Sequence, residues 1–285
     1  MASLRTIRRR IKGVQSTAKI TRAMEMIAAL RMRRAQERGL AGRPYAEKIT
    51  QVIADLAALA HPDEPLHPLL QRREIKNIAI VHITPDRGLC GGLLGNINRK
   101  TVAFILEQSV PASLVVVGRK GADFMRRYNQ AALAEFTDLG DHPSQFDTLP
   151  ISKIVIDEYI SGKIDGAYIA YSQFVSTLVQ KAVIQQVLPV QPAQIPAIEN
   201  VDYLYEPDTS TVLSGLLPRF IDMQVYHAIL ESIASEQSAR MVAMRNATDN
   251  ANELISELTL MYNKVRQESI TTELLDITAG ASALS

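Results

Sequence analysis

Tryptophan is absent from this 285-residue chain, cysteine occurs once, and aromatic residues make up only 5% of it. The lone thiol, Cys90, excludes an internal disulfide framework and fits a reducing compartment. Five histidines and one cysteine show no metal-ligand spacing, so no metal site is expected. A run of about 18 uncharged apolar residues is missing too, which removes a membrane-spanning helix. Serines lack the GxSxG elbow of a hydrolase, and the acid pairs Asp157-Glu158 and Asp63-Glu64 come without a matched base, so they read as helix surface or loop. Catalytic residues and cofactors are therefore not expected.

What is present is an apolar fraction of 47%, enough for a real core, and a charge distribution that the formal net charge of +1 conceals. Residues 1–48 carry Arg5, Arg8, Arg9, Arg10 and further lysines and arginines against only Glu25, Glu37 and Glu47, whereas carboxylates outnumber bases after residue 211. The arginine-rich start has the composition of a mitochondrial presequence. Its periodic pattern runs uninterrupted past any cleavage point, however, and reads as structure.

That pattern spaces apolar and small residues alternately by four and three: Ile7, Ile11, Val14, Ala18, Thr21, Glu25, Ala28, Met32, Ala35. This is a coiled-coil seam. A second row, Ile20, Met24 and Ile27, makes the apolar face wider than one partner helix requires. Gly39, Gly42 and Pro44 predict a kink, with helix resuming to about residue 60. The C-terminal third repeats the seam through Leu230, Ala234, Gln237, Met241, Met244, Thr248, Ala251, Ile255, Leu258, Tyr262 and Val265. Helix is expected from about 210 to 277, with Pro218 near its start and Gly280 as a stop signal. Residues 245–252 crowd weak helix formers into its middle, which suggests hydrogen bonding to a partner or an Asn layer that fixes register.

Between the two seams the periodicity changes. Ile75–Ile83, Leu114–Val117 and Gly166–Ala170 read as strands, and Asn96–Glu107, Ala122–Tyr128 and Ser152–Ser161 as helices. Gln180–Val190 is ambiguous between helix and strand, and the proline-rich stretch 188–196 reads as a connector or edge. The expected fold is an α/β central domain plus a long antiparallel coiled coil formed by the terminal helices. Its divisions are a helix over 1–60, a linker over 61–74, an α/β domain over 75–209 and a helix over 210–285. A domain of about 130 residues is roughly 40 Å across. A helix over 210–277 is about 100 Å long, so most of it has to project from such a domain. It also outruns its partner, and its apolar tip, residues 274–284, calls for enclosure by another protein.

The stretch "RGLCGGLLGNIN" (87–98) follows a predicted strand as a phosphate-binding turn would. Gly88, Gly91, Gly92 and Gly95 match neither GxxxxGK[ST] nor GxGxxG, and glycines so spaced also serve close backbone approach. A stand-alone nucleotide-binding α/β enzyme that dimerises through its helices stays open as an alternative. A nucleic-acid-binding coiled coil is disfavoured, because the N-terminal arginines surround the helix and no aromatic precedes Tyr45. A carboxylate-rich protein surface is the sharper expectation for those bases.

"LRTIRRRIKGVQSTAKITRAMEMIAALRMRRAQ", "DRGLCGGL", "VDYLYEPD", "YHAILESIASEQSARMVAMRNATDNANELI" and "YNKVRQESITTELLDITAGASAL", in this order, resemble the γ subunit of F-type ATP synthase over essentially the whole chain. The resemblance implies a rotor shaft within a ring of three α and three β subunits, with a foot beside the c ring and the epsilon subunit. It implies that Met24 and Arg240 lie near the acidic loop of β, and that Arg266 and Gln267 form a catch with β. Tyr205 and Glu206 would meet the c ring, and the glycine stretch would lie in the foot without binding nucleotide. Photosynthetic relatives carry an insertion with a regulatory cysteine pair. Here Cys90 is alone and the domain is short, so that switch is not expected. The lack of a presequence favours a bacterial-type subunit, peripheral on the cytoplasmic side of the cell membrane.

Overall fold

A computed structural model describes residues 3–59, 67–128, 132–191, 206 and 208–282. The elements are α1 (Leu4–Leu59), β1 (Ile78–Ile83), α2 (Leu93–Glu107), β2 (Ala112–Val117), α3 (Arg119–Arg127), β3 (Ala132–Phe136), α4 (Gln145–Ile160), β4 (Gly166–Phe174), β5 (Gln180–Leu188) and α5 (Thr209–Ser282). Contacts divide them into two units. One comprises residues 1–28 with 241–285, the other residues 29–240. The division falls within the two long helices, so 29–59 and 209–240 group with the sheet.

In the larger unit a five-stranded sheet has the order β3-β2-β1-β4-β5, parallel except for β5, which pairs antiparallel with β4 at the edge. All six residues of the central strand β1 are buried, as expected of a parallel strand covered on both faces. Alternate residues face opposite ways. Ile78, Ile80, Leu114 and Val116 pack with Ile97 of α2 and Met125 of α3. Ala79, Val81, Val115 and Ile169 share a core with α4, with Ile49, Ile53 and Leu56 of α1, and with α5 from Leu213 to Ala234. The lower parts of both long helices thus form one layer of the α/β unit.

Local chemistry accounts for the boundaries that differ from expectation. β1 begins at Ile78, because the amides of Lys76 and Asn77 donate to Asp165 Oδ2 at 2.9 and 3.1 Å. The ambiguous 180–188 segment is strand β5. β3, which was not anticipated, is a short edge strand. Asp208 starts α5, accepting from the Thr211 amide at 2.8 Å and from the Ser210 and Thr211 hydroxyls. These bonds hold its carboxyl down at about 2. Pro218 therefore lies inside the helix and not in its first turn, with the carbonyl it fails to bond belonging to exposed Ser214. Gly280 does not stop α5, which continues to Ser282. α1 stays helical through Gly39, Gly42 and Pro44, where both Leu40 and Pro44 are exposed to water.

In the smaller unit, α1 and α5 run antiparallel. Thr21 Oγ1 lies 2.7 Å from Thr248 Oγ1, and Arg245 Nε donates to Glu25 at 2.8 Å. Ile7, Ala18, Thr21 and Ala28 are buried opposite Met241, Met244, Thr248, Ala251 and Leu258, which is the seam read from the sequence.

Candidate functional site

In doubly wound sheets, ligands bind in the crevice outside the carboxyl ends of the strands. Here α5 occupies that place: Ile229, Ser232, Ile233 and Glu236 lie against Ile83, Thr84, Val117 and Gly118, leaving a cavity of about 40 Å³. Such a space suits about one water molecule, not a nucleotide. The α3 N-terminus, which could otherwise cradle an anion, spends its amides internally. Arg119 donates to Asp86 Oδ1 at 2.9 Å, Lys120 to the Pro85 carbonyl at 3.2 Å and Gly121 to Thr84 Oγ1 at 2.9 Å. Gly118 allows this close approach. Its φ is +95°, and a Cβ there would lie 1.9 Å from the Thr84 carbonyl oxygen.

The glycine stretch has a different electrostatic sense from a phosphate loop. A phosphate cradle points amides inward. This loop points carbonyls at a cation: Arg240 Nη2 donates to Gly88 O at 3.1 Å and to Arg87 O at 3.4 Å. Leu89 and Gly91 adopt φ of 64° and 58°, turning the chain tightly enough to present them. Arg240, only 8% exposed, also pairs with Glu236 one helical turn earlier at 2.7 Å. Burial pushes the Glu236 carboxyl up, and Arg240 opposes that shift. Cys90, beside them, is buried, and burial pushes its thiol up, away from the reactive thiolate.

The paired helices of the smaller unit expose apolar side chains where a free helix pair has no use for them. Ile20, Met26 and Ile27 are 60%, 60% and 51% exposed, beside half-buried Met24. The pairs 21 with 248 and 25 with 245 sum to 269 and 270, so Leu4 faces about residue 265. Beyond it α5 has no facing α1 residue up to Ser282, and Leu274, Leu275 and Ile277 are exposed. Arg266 and Gln267 lie at the start of this stretch, both exposed.

A family model described as ATP synthase matches residues 3–284. The ATP synthase gamma chain of Dehalococcoides mccartyi strain CBDB1 is 67% identical over 285 residues, covering 100% of both chains. The chain belongs to the ATP synthase gamma family. The gamma chain of Roseiflexus sp. strain RS-1 is 50% identical, covering 100% of this chain and 99% of that one. The fold is shared with a chain of the Euglena gracilis mitochondrial ATP synthase at a TM-score of 0.66, with 20% identity over 99% of this chain and 94% of that chain. A chain of the Tetrahymena thermophila mitochondrial central stalk and c ring gives 0.61, with 23% identity over 80% and 99%.

The positions that the gamma family resemblance singled out fall into three environments. Met24, Arg266 and Gln267 stand on the helix surface of the smaller unit. Arg240 is enclosed by its own chain. Glu206 is an exposed bend residue, and Tyr205 lies outside the described residues. The sequence reading missed the Gly88–Arg240 contact. Its only signal was the Glu236–Arg240 spacing of four, which is common on any helix. The expected polar layer in 245–252 exists, but Thr248 and Arg245 build it within the chain, while Asn246, Asn250 and Asn252 are exposed.

Proposed function

We propose that this chain is the rotor of a bacterial F-type ATP synthase. Its paired helix ends turn inside a ring of three α and three β subunits, and residues 75–209 act as a foot against the c ring and the epsilon subunit. The observation that carries this reading is the unpaired, apolar end of α5 beyond residue 265, together with exposed Ile20, Met26 and Ile27 on the paired stretch. Burying that surface requires a surrounding protein. Half-buried Met24 and exposed Arg266 and Gln267 are suited to contact with β, and Tyr205 and Glu206 are assigned to the c ring. Arg240 contributes to β contact only if it leaves its present bonds.

No helix among the described residues is long and apolar enough to cross a membrane. In this reading, membrane association comes through the complex, peripherally, at the cytoplasmic face of the cell membrane. Chemistry then belongs to the ring, and this chain supplies the turning part. Rotation disfavours any deep energy well, and the interface suits that requirement. Apolar contacts are non-directional and can be exchanged between successive β subunits with little change in energy.

The test is single-molecule observation of the complex assembled with α and β subunits, with a probe on exposed Lys100 of α2. Sustained one-directional turning during ATP hydrolysis is expected. A probe that stays still while ATP is consumed rejects the rotor reading. Nucleotide turnover by the isolated chain would support the enzyme alternative instead.

A further inference from the structure

Between Ser235 and Arg240, three loops reach α5 from the end of the sheet where β1, β3 and β4 finish. The loop after β1 gives the Arg87 and Gly88 carbonyls to Arg240. The loop after β3 gives Asp141, whose Oδ1 accepts from Gln237 Nε2 at 3.1 Å and whose Oδ2 pairs with Arg31 of α1 at 2.6 Å. β4 and its turn into β5 give two carbonyls: Ser172 O accepts from Ser235 Oγ at 2.8 Å, and Thr177 O accepts from Ser238 Oγ at 2.7 Å.

These bonds surround the helix. At about 100° per residue, Ser235, Gln237, Ser238 and Arg240 project at roughly 0°, 200°, 300° and 140°. A helix that only covers a sheet needs one apolar stripe. Here no residue from 221 to 240 is exposed, and Ser235, Gln237 and Ser238 are at most 1% exposed. Close apolar packing already resists creep of the helix about its axis through shape. Directional bonds from fixed carbonyls oppose both twist and slide.

We infer that this ring of bonds is a collar through which the α/β unit grips α5, and α1 through Arg31, and passes turning force to them. The inference rests on the rotor reading and adds where torque enters the helices. Arg240 is then a positioning residue: it locks the helix to the glycine loop. The polar residues 235–240 serve the grip, and the tight turn at Leu89 and Gly91, both at positive φ, lets the loop's carbonyls act as one jaw.

The experiment uses the assembled complex, paused with a non-hydrolysable ATP analogue, and reads the angular variance of a probe on Lys100. In the double variant Ser235→Ala with Ser238→Ala, and separately in Arg240→Met, the variance rises roughly twofold, as removal of directional tethers requires. Tyr159→Phe, which deletes the Tyr159 hydroxyl bond to Gln71 O outside the collar, lowers melting temperature without widening the variance. Variances equal to wild type in the serine pair overturn the inference, as does equal widening in Tyr159→Phe. The serine variant decides the matter even where Arg240→Met does not assemble. A wild-type complex that does not turn with ATP defeats the rotor reading. One that turns, with variants just as stiff, defeats the collar alone.

Discussion

His82 is fully buried in β1 between Asn98 Oδ1 at 2.9 Å and the Thr101 hydroxyl at 3.0 Å, both on α2. The neutral ring with its proton on Nε2 donates to Asn98, and its Nδ1 shares the Thr101 hydroxyl proton with the Ile97 carbonyl, which lies 3.0 Å from the same hydroxyl. Burial lowers its pKa from 6.5 to about 4, against the hydrogen bond to Asn98. Because the folded pKa lies below the unfolded one, the unfolded chain binds the extra proton first as pH falls. Stability is therefore full above 6.5 and declines down to about 4. At 1.36 kcal/mol per pH unit, that window corresponds to roughly 3 kcal/mol. Urea unfolding of wild type and His82→Gln at pH 7, 5.5 and 4.5 should show a shallower decline in the variant. Parallel declines would mean that His82 is not the titrating group. Little of this was legible in the sequence, since a lone histidine in an apolar run does not reveal partners 16 and 19 residues away. Arg240 was legible as important only through resemblance, because its carbonyl acceptors lie about 150 positions back in the chain.

At the level of elements, seams were readable because a four-three repeat leaves one continuous face, and Ile7 through Ala28 opposite Met241 through Leu258 bear this out. Alternation is weaker evidence. Gln180–Leu188 carries polar residues on a half-covered edge and so resembles either state, while β3 is five residues of an outer strand. A buried polar step in the seam is Thr21 against Thr248. Their hydroxyls also bond the Ala18 and Met244 carbonyls, at 3.1 and 2.9 Å, so one hydroxyl bonds its own helix while the other crosses. Thr248→Val alone should cost about 1 kcal/mol in amide-exchange stability over 244–251, and the Thr21→Val/Thr248→Val pair should cost less than the sum of the singles. Additive losses would show that the two hydroxyls act independently, each through its own helix carbonyl.

For the molecule as a whole, the decisive feature is surface that the chain cannot bury by itself. With α1 beginning opposite about residue 265, the helical turns beyond it have no facing helix among the described residues, and propensity alone leaves short helical ends marginal. Thr271, Thr272 and Thr278 bond only to carbonyls of their own helix, which supports local geometry without tying the segment to anything else. In the free chain, amides from 266 onward should therefore exchange with near-zero protection, while β1 and the collar at 235–240 exchange only through large-scale opening. Assembly with α and β subunits should raise protection of 266–282 by roughly a hundredfold or more, since a partner that binds only the helical form adds its binding free energy to that form. Hydrogen exchange on the free chain and on the complex measures both quantities. Strong protection of this segment in dilute, monomeric chain would mean that it is covered from within, and the need for an enclosing partner would disappear with it.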